Sequence, residues 1–589
     1  LVAKLIASAL ERPEADVAMR NVHAWVGLRD LVGGALRVED ILSNIGALNR
    51  DETLFTLARI AGDLANAPGG VLGPEARAWT RDLLVKGRDF PHPLQRAIAE
   101  AVERLPLDRT IAHAHVVFAL QVLAAVRGSV SAPAPHDNYL AFMMLAVNDY
   151  IPEWRTSAQT EMTSTERSLA SMFLTSAFNR SDDSLRFLLR TIDIMGSQPK
   201  RGTFTVEQWA KIQEEAFGVP FPEYAEAFLA PMLLMSKGWG FKTTPIVFPE
   251  EWVTGDRAKL YERWLDEASL PVEAAVQSFA ERPLPSGLFA LSAAFFRTPF
   301  LKIDGRLVGL SPWHVRDHAT LGTWAKLNAA SKKVLNTTSN QSFSSAFGYF
   351  VESWCARIAR EAADAVSTSE ALLLPTSPGA ADEIEDLVFQ DGDLVVLMSV
   401  KASLVPEPSL KAADASDAPV QWLRKFFFED VAEAKGKGYR GGAVHLLNKK
   451  VQQLRAGAFE RQGISKNATV LPAIVCFDNV GESGILYKWL EEECRRRALF
   501  GGDVRPLTVI TPEDFESLMA LRARGQSVCR LLFEKTQPRQ RWGPLDQFLF
   551  GRVQDSRELR LPSMEARFHA LVQRSLQRIP RRGTSDGED

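Results

Sequence analysis

The sequence predicts a mainly α-helical N-terminal region followed by an α/β domain built on a central mixed sheet. Three observations carry that expectation. From residue 1 to 335 apolar residues recur three and four positions apart, as in ILSNIGALNRDETLFTLARIAGDL and HAHVVFALQVLAAV, the spacing of one buried helix face. Residues 335–345, LNTTSNQSFSS, are polar with almost no apolar anchor and read as a linker. Beyond them short apolar runs alternate with helical segments. The first strands are joined by a hairpin and so run antiparallel, while the later ones are joined by helices and so run parallel.

With 589 residues the chain exceeds what one core holds, and about three or four domains of ~150 residues are expected. Its 46% hydrophobic and 24% charged content is that of an ordinary soluble protein. A net charge of -3 argues against a uniformly basic nucleic-acid binder but leaves room for a local basic patch. Cys355, Cys476, Cys494 and Cys529 form no C-x-x-C pair and no disulfide framework, which fits a reducing, cytoplasmic setting. No apolar run reaches the ~18–20 residues of a membrane span, and no secretory apolar region is seen. The chain starts at Leu1, so a missing upstream segment is expected and targeting is left unassigned.

In order along the chain, glycine- and proline-rich breaks fall at 66–75 (NAPGGVLGPE) and 128–138 (GSVSAPAPHDN), and they read either as domain joints, the second dividing the N-terminal region into two subdomains, or as long loops. No fixed-period repeat speaks for a regular solenoid. Residues 298–311 read as a hairpin with its turn at Asp304-Gly305, running into Ser311 as a helix N-cap and Pro312 at the first helical position. The α/β domain spans 343–530. It begins with a helix over 343–363, followed by strands at 371–375, 384–389 and 394–402, then helices, a strand at 468–477, a helix and a strand at 505–511. Thr511 caps a last helix, with Asp514 as the acid three residues on. A helical extension covers 531–579, and the tail 580–589 has nothing to pack and is expected to be disordered.

The stretch EDLVFQDGDLVVLMSVKAS, residues 385–403, carries the chemistry. It reads as a half-buried hairpin with its turn centred on Asp391-Gly392, which sets Asp386 opposite Leu397. Alternation then places Asp386, Ser399 and Lys401 on one face. Charges in a strand otherwise made of Val, Leu and Met must be paired or bind a ligand. The bland alternative is a cross-strand ion pair on a solvated face.

These residues, and the order of elements around them, resemble the PD-(D/E)XK (restriction-endonuclease-like) nuclease superfamily over residues 343–520. Asp386 matches its metal-binding aspartate, Ser399-Val400-Lys401 stands where its (D/E)-X-K lies, and FGYFVESWCARIAREA resembles its first helix, with Glu352 as a metal-binding glutamate and Gly348 leaving room beside it. The resemblance implies Mg²⁺ or Mn²⁺ held by Asp386 and Glu352, Lys401 orienting water or stabilising charge, and hydrolysis of phosphodiester bonds in DNA or RNA. It also implies a setting in bacterial defence or DNA processing, with nucleic acid, foremost DNA, as partner. Ser399 departs from the pattern, because a neutral hydroxyl does not supply the charge a hard cation prefers. Glu407, Asp414, Asp417 and Glu429 are the acids further along the chain that could replace it. The alternative is a nuclease fold without activity that serves as a nucleic-acid-binding or scaffold module. A more remote reading is a helical interaction protein whose sheet is unrelated to nucleases.

Other signals are weaker. The helix AVHLLNKKVQQLRAG puts Val444, Leu447, Val451 and Leu454 on an apolar stripe, leaving Lys449 and Gln452 as candidates for phosphate contact against a plain solvated face. KGKGYRGG contains G-x-G-x-x-G (Gly436, Gly438, Gly441) but follows a helix, so Lys435, Lys437 and Arg440 read as a basic loop for a nucleic-acid backbone. Arg495, Arg496 and Arg497 follow three acids and read as a salt-bridged helix surface. His314 and His318 have helical spacing for a metal but lack a third ligand, so a packed helix is favoured. His113 and His115 receive no role. The N-terminal region is left to a protein partner or self-association, and no membrane partner is expected.

Overall fold

The computed structural model describes residues 35–66, 114–135, 137–150, 184–197, 204–229, 266–280, 298–304, 306–338, 341–375, 384–402, 418–429, 442–477, 484–501 and 504–578, with isolated positions between them. The chain divides into two compact units. One holds His23–Ser157, Phe178–Phe343 and Arg567–Asp589; the other holds Leu1–Val22, Ala158–Ala177 and Ser344–Ala566. No helix among the described residues is long and apolar enough to cross a membrane.

The first unit is mainly helical: α1 (Val38–Gly46), α2 (Arg50–Asn66), α3 (Ala114–Arg127), α4 (Asp137–Asn148), α5 (Ser184–Met195) and α6 (Val206–Phe217). Residues Val116 to Ala125 of α3 are all buried, as a helix without a polar face must be. It is the centre of the unit, with α1, α2 and α4 packed around it. Residues 128–135 therefore connect α3 to α4 inside one unit, and Ser129 bridges back to Asn49. The hairpin is β2 (Phe300–Ile303) and β3 (Arg306–Gly309), with Asp304 in a left-handed turn conformation as expected. A short β1 (Ser269–Pro271), which has no sequence signal, lies parallel to β2 and leads into α7 (Val272–Ala280). Ser311 caps α8 (Pro312–Asp317) by accepting the Trp313 N–H at 3.1 Å. A π turn at His318–Gly322 then joins α8 to α9 (Thr323–Val334).

The second unit carries α10 (Gln341–Ala365), β4 (Ala371–Leu373), β5 (Leu387–Asp391), β6 (Leu394–Lys401), α11 (Ala418–Phe428), α12 (Ala443–Arg455), β7 (Thr469–Cys476), α13 (Gly484–Arg496), β8 (Thr508–Ile510), α14 (Pro512–Arg522) and α15 (Val528–Lys535). The strands form one five-stranded sheet in the order β8-β7-β6-β5-β4, antiparallel on the hairpin side and parallel on the helix-linked side. Thr511 caps α14 in a reciprocal box with Asp514. The polar linker is shorter than expected, because α10 already starts at Gln341.

Two details of the hairpin differ from the sequence reading. Asp391 pairs with Leu394, so the turn is Gly392-Asp393 and Val388, not Asp386, lies opposite Leu397. The reason is partly local and partly distant: Gly392 takes the left-handed φ of +60° at the first turn position, while Asp391 stays in the strand, held at 2.8 Å by Arg530 from far along the chain. Nor is the hairpin half-buried. Every residue from Val395 to Val400 is buried, and since neighbours alternate across the sheet, β6 is covered on both faces.

Candidate functional site

The regular pairing of β5 with β6 ends at Leu387 and Met398, and the chain bends at Asp386. There the Asp386 side chain takes the place of backbone: its Oδ2 accepts the Val400 N–H at 2.7 Å. A carboxylate thus satisfies a donor that the shortened strand leaves without a carbonyl. The bend also breaks the alternation of faces. A continued strand would turn Glu385 away from Asp386 and Ser399. Instead the buried Glu385 carboxyl lies beside Asp386 and close to the Ser399 hydroxyl, under the charges of Lys401 and Lys450.

Burial raises the Glu385 pKa first, and the charge of Asp386 raises it further, to about 7; Lys401, the Ser399 hydroxyl and Lys450 pull the other way. Ser399 is 1% exposed, and although it lies near Glu385 its Oγ completes no hydrogen bond of regular geometry. Such a hydroxyl, buried without a full partner, is a rare and costly arrangement in a core. Lys401, the last residue of β6, is half-buried. The site therefore combines two adjacent carboxyls, one of them near its titration midpoint at neutral pH, with a hydroxyl and two ammonium groups.

Asp386, Lys401, the Ser399 hydroxyl and Lys450 all act on Glu385, a residue to which the sequence reading gave no part. Glu352 lies on α10, half-buried and engaged with its surroundings. Its helix reaches the Lys401 end of the sheet through Phe347, whose ring meets Phe477 edge-on at 5.0 Å; Phe477 N–H donates to the Lys401 carbonyl at 2.9 Å. Space is open beside Gly348. Among the described residues no group of three His, Cys, Asp or Glu side chains converges in a way that could hold a metal. Glu429 follows α11 with its Oε2 buried and without a hydrogen bond. Glu407, Asp414, Asp417, Lys435, Lys437 and Arg440 lie outside the described residues.

On α12 the apolar stripe is as expected, with Val444, Leu447, Val451 and Leu454 buried. Lys449 and Gln452 are exposed, and it is the half-buried Lys450 whose charge acts on Glu385. Lys450 follows Leu447 by three positions and precedes Val451, which puts it on the flank of the stripe. That position is the signal that finds it. Glu385 had a signal too, as an acid adjoining Asp386, but strict strand alternation excluded it.

The remaining candidates are structural. His314 is buried, its ring 5.1 Å from that of Phe118, and burial and then Arg316 push its pKa down to about 3. His318 packs beside Trp264. The arginine run is salt-bridged, Arg495 to Glu491 and both Arg496 and Arg497 to Glu493. All four cysteines are buried free thiols, and burial raises Cys494 to about 12, so it is a poor nucleophile. An open cleft of about 450 Å³, lined by Ser369, Asp391, Ser527, Arg530, Glu534 and Arg552 among others, lies at the turn end of the sheet. Its charges are spent on one another, Arg530 on Asp391 and Arg552 on Glu534. In comparisons with known proteins, no family model, no curated protein and no solved structure matches this chain.

Proposed function

We propose that the sheet-bearing unit is a metal-dependent phosphodiester hydrolase acting on nucleic acid in the manner of PD-(D/E)XK nucleases, with Glu385 supplying the acid that Ser399 lacks. One observation carries this reading: a Glu385 carboxyl buried beside Asp386 and faced by Lys401. Hard divalent cations take oxygen ligands and favour carboxylates. Glu385, Asp386 and the Ser399 Oγ are all oxygen donors, and a cation at the two carboxyls relieves the repulsion that raises Glu385 to about 7. Bound there, Mg²⁺ or Mn²⁺ would supply Lewis acidity that lowers the pKa of an attacking water.

The chain's own groups have separable tasks. The Val400 N–H fixes the orientation of Asp386. Lys401, at the strand end and half-buried, meets the negative charge that develops on the phosphate oxygens. A second reading has its own support, because the Asp386 bond to Val400 is a complete structural task without chemistry. On that reading the unit binds nucleic acid or acts as a scaffold.

Incubating the full chain with Mg²⁺ or Mn²⁺ and single- or double-stranded DNA or RNA separates the two. Cleavage is expected in the wild type, with Lys401→Ala lowering kcat by about 10²-fold or more at unchanged circular dichroism. Absence of wild-type cleavage, or full cleavage by Lys401→Ala, removes the hydrolase reading.

A further inference from the structure

We infer that α10 carries a nucleotide-binding notch at Gly348 and Tyr349, in which a base of an unpaired strand stacks on the Tyr349 ring while the sugar-phosphate chain passes over Gly348. This rests on the hydrolase reading for where the scissile phosphate lies, and it gives that reading a substrate class. Ser345, Gly348, Tyr349 and Glu352 stand three and four residues apart, so they share one side of the helix. Ser345 is exposed and the other three are half-buried, whereas Phe347, Phe350, Val351 and Trp354 on the other side are buried. Phe347 meets Phe477, whose N–H donates to the Lys401 carbonyl, so this stretch of α10 lies at the end of the sheet where Lys401 stands.

Two observations point to a ligand there. After proline, glycine is the poorest residue for a helix interior, and neither a left-handed φ nor a close neighbour requires it at 348. A Cβ there would meet no atom within 4 Å beyond its chain neighbours and the backbone of its own helix. The missing side chain leaves clearance through which another molecule can approach the helix backbone. Tyr349 adjoins that clearance, and it alone of the five described tyrosines has neither a hydrogen bond nor a ring contact. Tyr139, Tyr150 and Tyr487 donate from their hydroxyls, and Tyr224 stacks on Phe217 at 4.5 Å. A half-buried ring without an aromatic partner, beside open space, is a platform on which a base can stack. The bases of a duplex are already stacked on both faces, so an unpaired strand is the form that fits.

The test uses the full chain with fluorescent single-stranded and duplex oligonucleotides in Ca²⁺, which takes the same oxygen ligands as Mg²⁺. Tyr349→Ala is expected to bind the single strand about fivefold or more weakly, the share of one stacked base, with little change for the duplex. Tyr349→Phe should keep the wild-type affinity, because stacking needs the ring and not the hydroxyl. Gly348→Leu should weaken the same binding yet melt no lower than the wild type, since it fills open space and gains helix propensity. Ala365→Leu, at an exposed position on the other end of α10, should change neither. If the wild type binds the single strand but never cleaves, the hydrolase reading fails while the Gly348 and Tyr349 comparisons still decide the notch. The inference is overturned by Tyr349→Ala binding as the wild type does, by Tyr349→Phe failing as the alanine does, by a Gly348→Leu that melts lower, or by a wild type that binds no single strand. Variants that alter the mass of the protein in solution and leave oligonucleotide binding intact would give the notch to a second copy of the chain and overturn it as well.

Discussion

Glu385 is the residue where burial and charge act most strongly on the proposed chemistry. Its ordinary carboxyl value is 4.5 and its folded value about 7. Between those limits the folded unit holds a proton that the unfolded chain has released, so this residue's contribution to stability falls as pH rises through the window. In metal-free buffer Glu385→Gln is therefore expected to melt above the wild type at pH over 7, with the gap closing as pH falls toward 4.5. Thermal melts across that range check it, and a gap independent of pH would remove the assignment. His314 has the opposite sign. Its pKa drops from 6.5 to about 3, so below 6.5 the unfolded chain takes up a proton that the folded unit refuses, and stability is lost as pH falls. His314→Phe should flatten that acid slope, whatever it does to the baseline.

At the scale of elements, α11 and α12 meet at Gly442. A Cβ there would lie 2.6 Å from the Phe427 carbonyl and the Phe428 nitrogen, and Gly442 N–H donates to the Glu429 carbonyl at 2.7 Å. Backbone does not yield as a flexible side chain does, and Phe427 and Phe428 are fully buried. Gly442→Ala is expected to destabilise by about 1–3 kcal/mol, measured by denaturant titration. Helix α14 depends on its N-terminal box, where the Thr511 hydroxyl accepts the Asp514 N–H at 3.2 Å and donates to Asp514 Oδ2 at 2.7 Å. Thr511→Ala should cost about 1 kcal/mol by the same measurement. Both the box and the Ser311 cap could be read from sequence because capping is settled within four residues. The hairpin register could not, since Asp391 has a partner in Arg530, far along the chain, that competes with its turn preference.

For the whole molecule, Glu385 and His314 belong to different units, and because one pKa is raised and the other lowered, mild acid should shift their contributions in opposite directions. Calorimetry of the wild type with Glu385→Gln and His314→Phe from pH 7 to 5 is expected to show each variant altering a different part of the transition. By itself the sequence determined the helical first region, the mixed sheet with its strand directions and the caps. All of these follow from periodicity, connection type and contacts a few residues apart. Only the tertiary structure decided that β6 is covered on both faces, that the bend at Asp386 sets Glu385 beside it, and that Lys450 is the half-buried lysine of α12 whose charge acts on Glu385. Those depend on which surfaces meet in three dimensions, where one bend or one helix flank moves a side chain to a face that local alternation assigns to another.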